Sequence, residues 1–239
     1  MSRRLDIGSV QLSARTPRVV AAGGASEVAA LAAADGADLV ELRADLWDDP
    51  RPEALPALLG RLRSGGRPVI LTVRAAAEGG RPMDEARRRA LYAAGLPHAD
   101  AVDVEIASSA LASELVVHAR NAGRTVILSA HSVERTPPVD ALLALVDRAE
   151  AMGADVTKLA AAARDIEDVR TMLTVTLTAR ERGIVTLTMG DAGTVGRLLL
   201  PAAGSLLTYG HVGTATAPGQ LTVSELATLV RRFFTVASS

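Results

Sequence analysis

The chain has 239 residues, a formal net charge of −1 and no cysteine. Near-neutral charge and only 2% aromatic residues argue against a nucleic-acid surface, and no charge excess favours an anionic membrane. The absence of cysteine excludes disulfides, thiolate chemistry and Cys-ligated zinc.

Hydrophobic residues make up 49%, mostly Ala, Leu and Val, so an aliphatic core is expected, in one domain spanning 1–239. No apolar run reaches the roughly 18 residues of a membrane span, and the opening MSRRLDIGSVQLSA lacks the apolar core of a signal peptide. A cytoplasmic protein is expected.

In chain order, LDIGSVQLSA (5–14) alternates weakly and suits a small hairpin. Short apolar runs follow at RVVAA (18–22), DLVELR (38–43), PVILTVR (68–74) and AVDVEI (101–106). Four more lie at TVILSAH (125–131), ADVTKLA (154–160), GIVTLTM (183–189) and SLLTYG (205–210). Near-continuous apolar interiors are the pattern of parallel strands buried on both faces. Helical stretches lie between them. ASEVAALAAADG offers Ser26 as a cap and Gly36 as a stop, and MDEARRRALYAAG closes at Gly95. PVDALLALVDRAEAMG closes at Gly153, and VSELATLVRRFFTVA begins with Ser224 and Glu225. Eight strand–helix alternations predict an α/β fold, a (β/α)8 TIM barrel with the hairpin closing its bottom. A doubly wound open sheet is the alternative, but six strands usually suffice there.

Chemistry in such a barrel sits at the C-terminal strand ends. Strand two supplies Glu41, Arg43 and Asp45 at alternate positions; strand three supplies Arg74, then Glu78. Strand four supplies Asp103 and Glu105, strand five His131 and strand six Lys158. Met189 ends strand seven, whose glycine-rich turn leads to Arg197; Thr216 and Gln220 follow strand eight. Charges at strand ends often merely meet water. Asp45 and Asp48 suit helix caps, the Arg87–Arg89 run a solvated face, and His98, His118 and His211 peripheral positions. Chance does not account for polar groups at the same end of seven successive strands, where an aliphatic barrel must desolvate them.

Lys158 is the only lysine beside twenty-five arginines. Arginine cannot serve as an amine nucleophile; lysine can, where burial and neighbouring cations favour its neutral form. A position that requires a primary amine keeps its lysine in an arginine-biased chain. A Schiff-base lysine facing Arg43 and Arg74 is therefore expected.

Together these residues resemble the type I 3-dehydroquinate dehydratases. The match is ordered: ELRAD, TVRAAAEGG, VDVEI, SAHSVERTP, ADVTKLA, TMGDAGTVGR and TATAPGQ, from Glu41 to Gln220. The resemblance implies that Lys158 forms an imine with the substrate ketone, that His131 acts as acid and base, and that Glu78 orients it. It implies that Arg197, Thr216 and Gln220 hold the substrate carboxylate or close over it. Glu41, Arg43 and Arg74 would hold the hydroxyls, with Met189 beside the imine. It implies 3-dehydroquinate as substrate, no metal or organic cofactor, and a homodimer. Three departures stand out. Ser132–Val133 replaces the usual Asp-Phe, Thr216 replaces a serine, and the first strand ends VVAAGG where a polar residue is usual. Another Schiff-base lyase or aldolase, or a non-catalytic ligand-binding barrel, are the alternative readings.

Overall fold

The computed structural model describes residues 5–215 and 219–234. A hairpin, β1 (Leu5–Ile7) and β2 (Val10–Leu12), precedes eight strands. These are β3 (Arg18–Gly23), β4 (Leu39–Arg43), β5 (Val69–Thr72) and β6 (Ala101–Glu105). Then come β7 (Thr125–Ser132), β8 (Val156–Ala162), β9 (Ile184–Met189) and β10 (Leu207–His211). All eight form one sheet in the order β10-β3-β4-β5-β6-β7-β8-β9, and every pairing along it is parallel. Helices separate the strands: α1 (Val28–Ala32), α2 (Leu55–Arg63), α3 (Glu85–Gly95) and α4 (Ser109–Asn121). They continue with α5 (Val139–Met152), α6 (Ile166–Ala179), α7 (Gly196–Ala203) and α8 (Val223–Phe233).

The expected barrel is present, nearly closed. Its seam lies between β9 and β10. There Leu206 N donates to Ile184 O at 3.0 Å, and the buried Ser205 hydroxyl accepts from Thr186 N at 2.9 Å. A side chain thus takes part of a strand ladder's role.

The interior is layered. Val20, Leu39, Ile70, Ala101, Ile127, Val156, Val185 and Leu207 are all buried and fill the lower barrel. Ile7 and Leu12 of the hairpin pack onto this cluster and close the bottom, as expected. Side chains alternate between sheet faces, so the residue two places on in each strand also points inward. Those residues are Ala22, Glu41, Thr72, Asp103, Ser129, Lys158, Leu187 and Tyr209. The barrel therefore passes from an apolar floor to a largely polar layer in one step.

Local signals worked unevenly. Gly153 ends α5 at φ +96°, as expected. The chain runs on into a 3-10 turn at Leu96–His98, but the α-helix itself closes at Gly95, as expected. A Cβ there would lie 2.4 Å from Leu71 Cδ2, so this glycine lets α3 press against the sheet. Ser26 sits inside a 3-10 turn rather than capping α1, and α8 is capped by Thr222, one step before the expected start.

Candidate active site

Lys158 is 3% exposed on β8. Its Nζ donates to Asp103 Oδ2 at 2.8 Å and to Glu41 Oε1 at 3.4 Å. Arg43 and Arg74, expected to face it, line the same cavity, but its nearest partners are carboxylates. Arg74 occupies the far side of Asp103. Its Nη2 bonds Asp103 Oδ1 at 3.0 Å, and its Nη1 bonds Glu105 Oε1 at 3.0 Å and Ser129 Oγ at 2.7 Å. Burial pushes the Asp103 carboxyl up, but Arg74 and then Lys158 outweigh it and hold it below the usual carboxylate range. Thr72 donates to Glu41 at 2.6 Å, completing a buried network whose charges are all paired.

Arg43 is fixed by Asp45 through two bonds, at 2.8 and 2.6 Å. Asp45 also accepts from Arg74 N at 3.1 Å and is fully buried, so it is a clamp and not the helix cap its position suggested. The Arg87–Arg89 run is likewise not uniformly solvated. Arg88 is 4% exposed and bonds Val73 O at 3.0 Å, Ser108 Oγ at 3.0 Å and Glu105 Oε2. It supports Glu105, which supports Arg74.

His131, near the end of β7, is paired with Glu78. Glu78 Oε2 accepts from His131 N at 2.8 Å and lies 3.0 Å from Nδ1. The Glu-Gly-Gly turn makes this approach. Gly79 has φ +86°, and a Cβ on Gly80 would lie 2.1 Å from the Arg74 carbonyl oxygen. Only glycine lets the loop fold back over Arg74 and carry Glu78 to His131. Burial raises the Glu78 carboxyl to about 7. Burial also lowers His131 well below its ordinary value, helped by Arg74 and Lys158. With Nδ1 turned to Glu78, Nε2 is the nitrogen left to exchange a proton with a ligand.

Arg197, on α7, is 2% exposed and has no acidic partner among the described residues. Its Nε has no hydrogen-bond partner there. Burial brings its guanidinium down to about 10, so it remains charged at neutral pH. A buried fork without a counter-ion is a receptor for an anionic ligand group.

These groups meet in a cavity of about 180 Å³. Lys158, His131, Glu78, Glu41, Arg43, Arg74, Met189, Arg197 and Gln220 all line it. Thr216 lies outside the described residues. Sequence reasoning assigned no role to Thr72, Ser129 or Tyr209. Thr72 and Ser129 stand two places beyond an apolar floor residue, a signal that was available. Among the described residues no group of three or more His, Asp or Glu side chains could hold a metal ion.

The type I 3-dehydroquinase family model matches residues 21–235. A 3-dehydroquinate dehydratase of Methanocella arvoryzae is 36% identical over 211 residues, covering 88% of this chain and 94% of that protein. The crystal structure of 3-dehydroquinate dehydratase from Geobacillus kaustophilus superposes with a TM-score of 0.89 at 27% identity, covering 98% of each chain. That from Aquifex aeolicus gives 0.83 at 30% identity, covering 92% of this chain and all of the other. With the cavity, the His131–Glu78 pair and the buried lysine in place, the chain belongs to the type I 3-dehydroquinase family.

Proposed function

We propose that the cavity described above is the active site and that Lys158 is its nucleophile. The chain is a 3-dehydroquinate dehydratase of the type I family and acts in the shikimate pathway, removing water to give 3-dehydroshikimate. The observation that carries the assignment of roles is the single lysine of the chain opening into the cavity that holds the His131–Glu78 pair.

In this reading the Lys158 amine adds to the ketone carbon. The carbinolamine oxygen leaves as water with a proton from His131, and an iminium remains. The iminium draws electrons from the neighbouring carbon, and His131 removes a proton there. The enamine electrons then expel the hydroxyl two carbons from the imine, which departs as water with the proton from His131. Hydrolysis of the imine consumes one water, returns Lys158 and releases product, so one water is lost overall. Glu78 keeps His131 in the orientation that presents Nε2. Arg197 holds the substrate carboxylate, Glu41, Arg43 and Arg74 hold the ring hydroxyls, and Met189 packs beside the imine. Gln220, which lines the same cavity, helps Arg197 hold the carboxylate. Every step uses this chain's own side chains and needs no metal or organic cofactor.

A cytoplasmic enzyme is proposed as well; among the described residues no helix is long and apolar enough to cross a membrane. A homodimer is proposed too, with exposed apolar side chains on two adjoining helices in its support. Ile166 and Leu177 on α6 and Leu199 on the adjoining α7 are exposed, and Ile166 and Leu177 lie three turns apart on one face.

The test is a borohydride trap. Incubation with 3-dehydroquinate, reduction and peptide mapping are expected to place one adduct on Lys158. A folded protein that binds the ligand yet yields no adduct would overturn the imine mechanism.

A further inference from the structure

The chain has two tyrosines, and their hydroxyls are treated differently. Tyr92 is satisfied: its hydroxyl donates to Asp103 O at 2.5 Å and accepts from Val73 N at 3.0 Å. Tyr209 is equally hidden, at 3% exposure, yet its hydroxyl has no hydrogen-bond partner among the described residues. Leaving a buried hydroxyl unpaired is costly, so each such group calls for a reason.

Position supplies the reason. Tyr209 lines the cavity, and its ring centroid lies 4.2 Å from Lys158 Nζ. The strands β4 to β8 crowd their side of the cavity with charge. The other side is apolar: β9 brings Leu187 and Met189, and β3 brings Ala22. The Tyr209 phenol is the one polar side-chain group that β9, β10 and β3 together present there. Arg197 of α7 and Gln220, which follows β10, are given to the substrate carboxylate, so among the strand residues of that flank only this hydroxyl is left to meet a ring oxygen. The ring face also carries the negative side of an aromatic quadrupole towards the lysine nitrogen.

We propose that Tyr209 is a substrate-positioning and specificity-determining residue of this reaction. Its hydroxyl donates a hydrogen bond to the substrate hydroxyl on the carbon next to the ketone, and its ring face stabilises the iminium cation formed on Lys158. The choice of that hydroxyl follows from covalent reach. Once Lys158 is bonded to the ketone carbon, the oxygen on the adjacent carbon lies three bonds from a nitrogen already against the Tyr209 ring. Burial holds the phenol well above its ordinary pKa, and Glu41 and Asp103 add to the effect, so it remains a donor. The inference rests on the dehydratase reading given above.

The experiment compares the native protein with Tyr209→Phe and Tyr209→Leu, using 3-dehydroquinate and its analogue lacking the hydroxyl beside the ketone. Native turnover and a Lys158 adduct establish the underlying reading independently of Tyr209. Tyr209→Phe is expected to fold with unchanged or higher melting temperature, because it deletes an unpaired group. It is expected to raise KM about tenfold for 3-dehydroquinate, the worth of one neutral hydrogen bond, with kcat within about threefold. With the deoxy analogue that penalty is expected to vanish. Tyr209→Leu, which also removes the ring, is expected to lower kcat about a further tenfold, the worth of a desolvated cation–π contact. The proposal is overturned if Tyr209→Phe matches the native kinetics, if the analogue shows the same penalty, or if the ligand-free variant loses stability.

Discussion

Glu78 carries the sharpest consequence at the scale of single residues. Its carboxyl, ordinarily near 4.5, is raised to about 7 by burial. The folded state therefore binds this proton more tightly than the unfolded chain does. Stability falls as pH rises from the unfolded value through the folded one, and above about 7 the ionised carboxylate is a full burden. Glu78→Gln removes that burden. It is expected to stabilise the protein by on the order of 2 kcal/mol at pH 8, and by nothing near pH 4, in urea titrations at the two pH values. Activity moves the other way. Glu78 Oε2 lies 3.0 Å from His131 Nδ1, and its ionised carboxylate favours a proton on His131. The variant's neutral amide no longer supports that proton, so the acid limb of kcat/KM is expected to shift to lower pH than in the native protein. An unmoved limb, read from a pH–rate profile, would show that the pair does not govern it.

Elements set how accurately those side chains meet. The lysine strand β8 is locked between β7 and β9 along its full length, so Lys158 has little freedom of height. The weaker joint is the β9–β10 seam, where the Ser205 hydroxyl accepts from Thr186 N and lies 3.2 Å from Leu207 O. Ser205→Ala leaves a buried amide unpaired. The expected loss is about 1–3 kcal/mol of stability, measured by chemical denaturation. It is expected to weaken the Tyr209 side of the cavity before the Lys158 side, because β10 pairs with β3 alone. A stability equal to the native value would mean that the backbone alone closes the seam. The same scale explains Arg88. α3 delivers the Arg88 guanidinium to Val73 O and to Glu105 at the end of β6, and Glu105 in turn holds Arg74.

Across the whole molecule, the strand order joins the two ends of the chain. β10 lies beside β3, so the last strand completes the first one's pairing. No cut through this circle leaves two pieces with separate cores. We propose a single domain, which is expected to melt in one transition with coincident near- and far-ultraviolet circular dichroism. Two separated transitions would contradict it. The proposed homodimer belongs to the same scale, and sedimentation equilibrium distinguishes a dimer from a monomer directly.

Much of this was legible in the sequence. Eight apolar runs between helical stretches determine a parallel barrel, because only strands covered on both faces are apolar throughout. Alternation within a strand shows which residues share a face, and a lone lysine among arginines marks a position that needs an amine. What that reading could not supply is which group arrives from a distant strand. Lys158 meets Asp103 across 55 residues and Glu41 across 117. The carboxylate company of Lys158, the clamp at Asp45, the buried Arg88 and the unpaired hydroxyl of Tyr209 were decided by barrel closure and strand stagger. Charge type and spacing are local properties. Pairing depends on the height at which each strand enters the barrel, and only the folded chain sets that height.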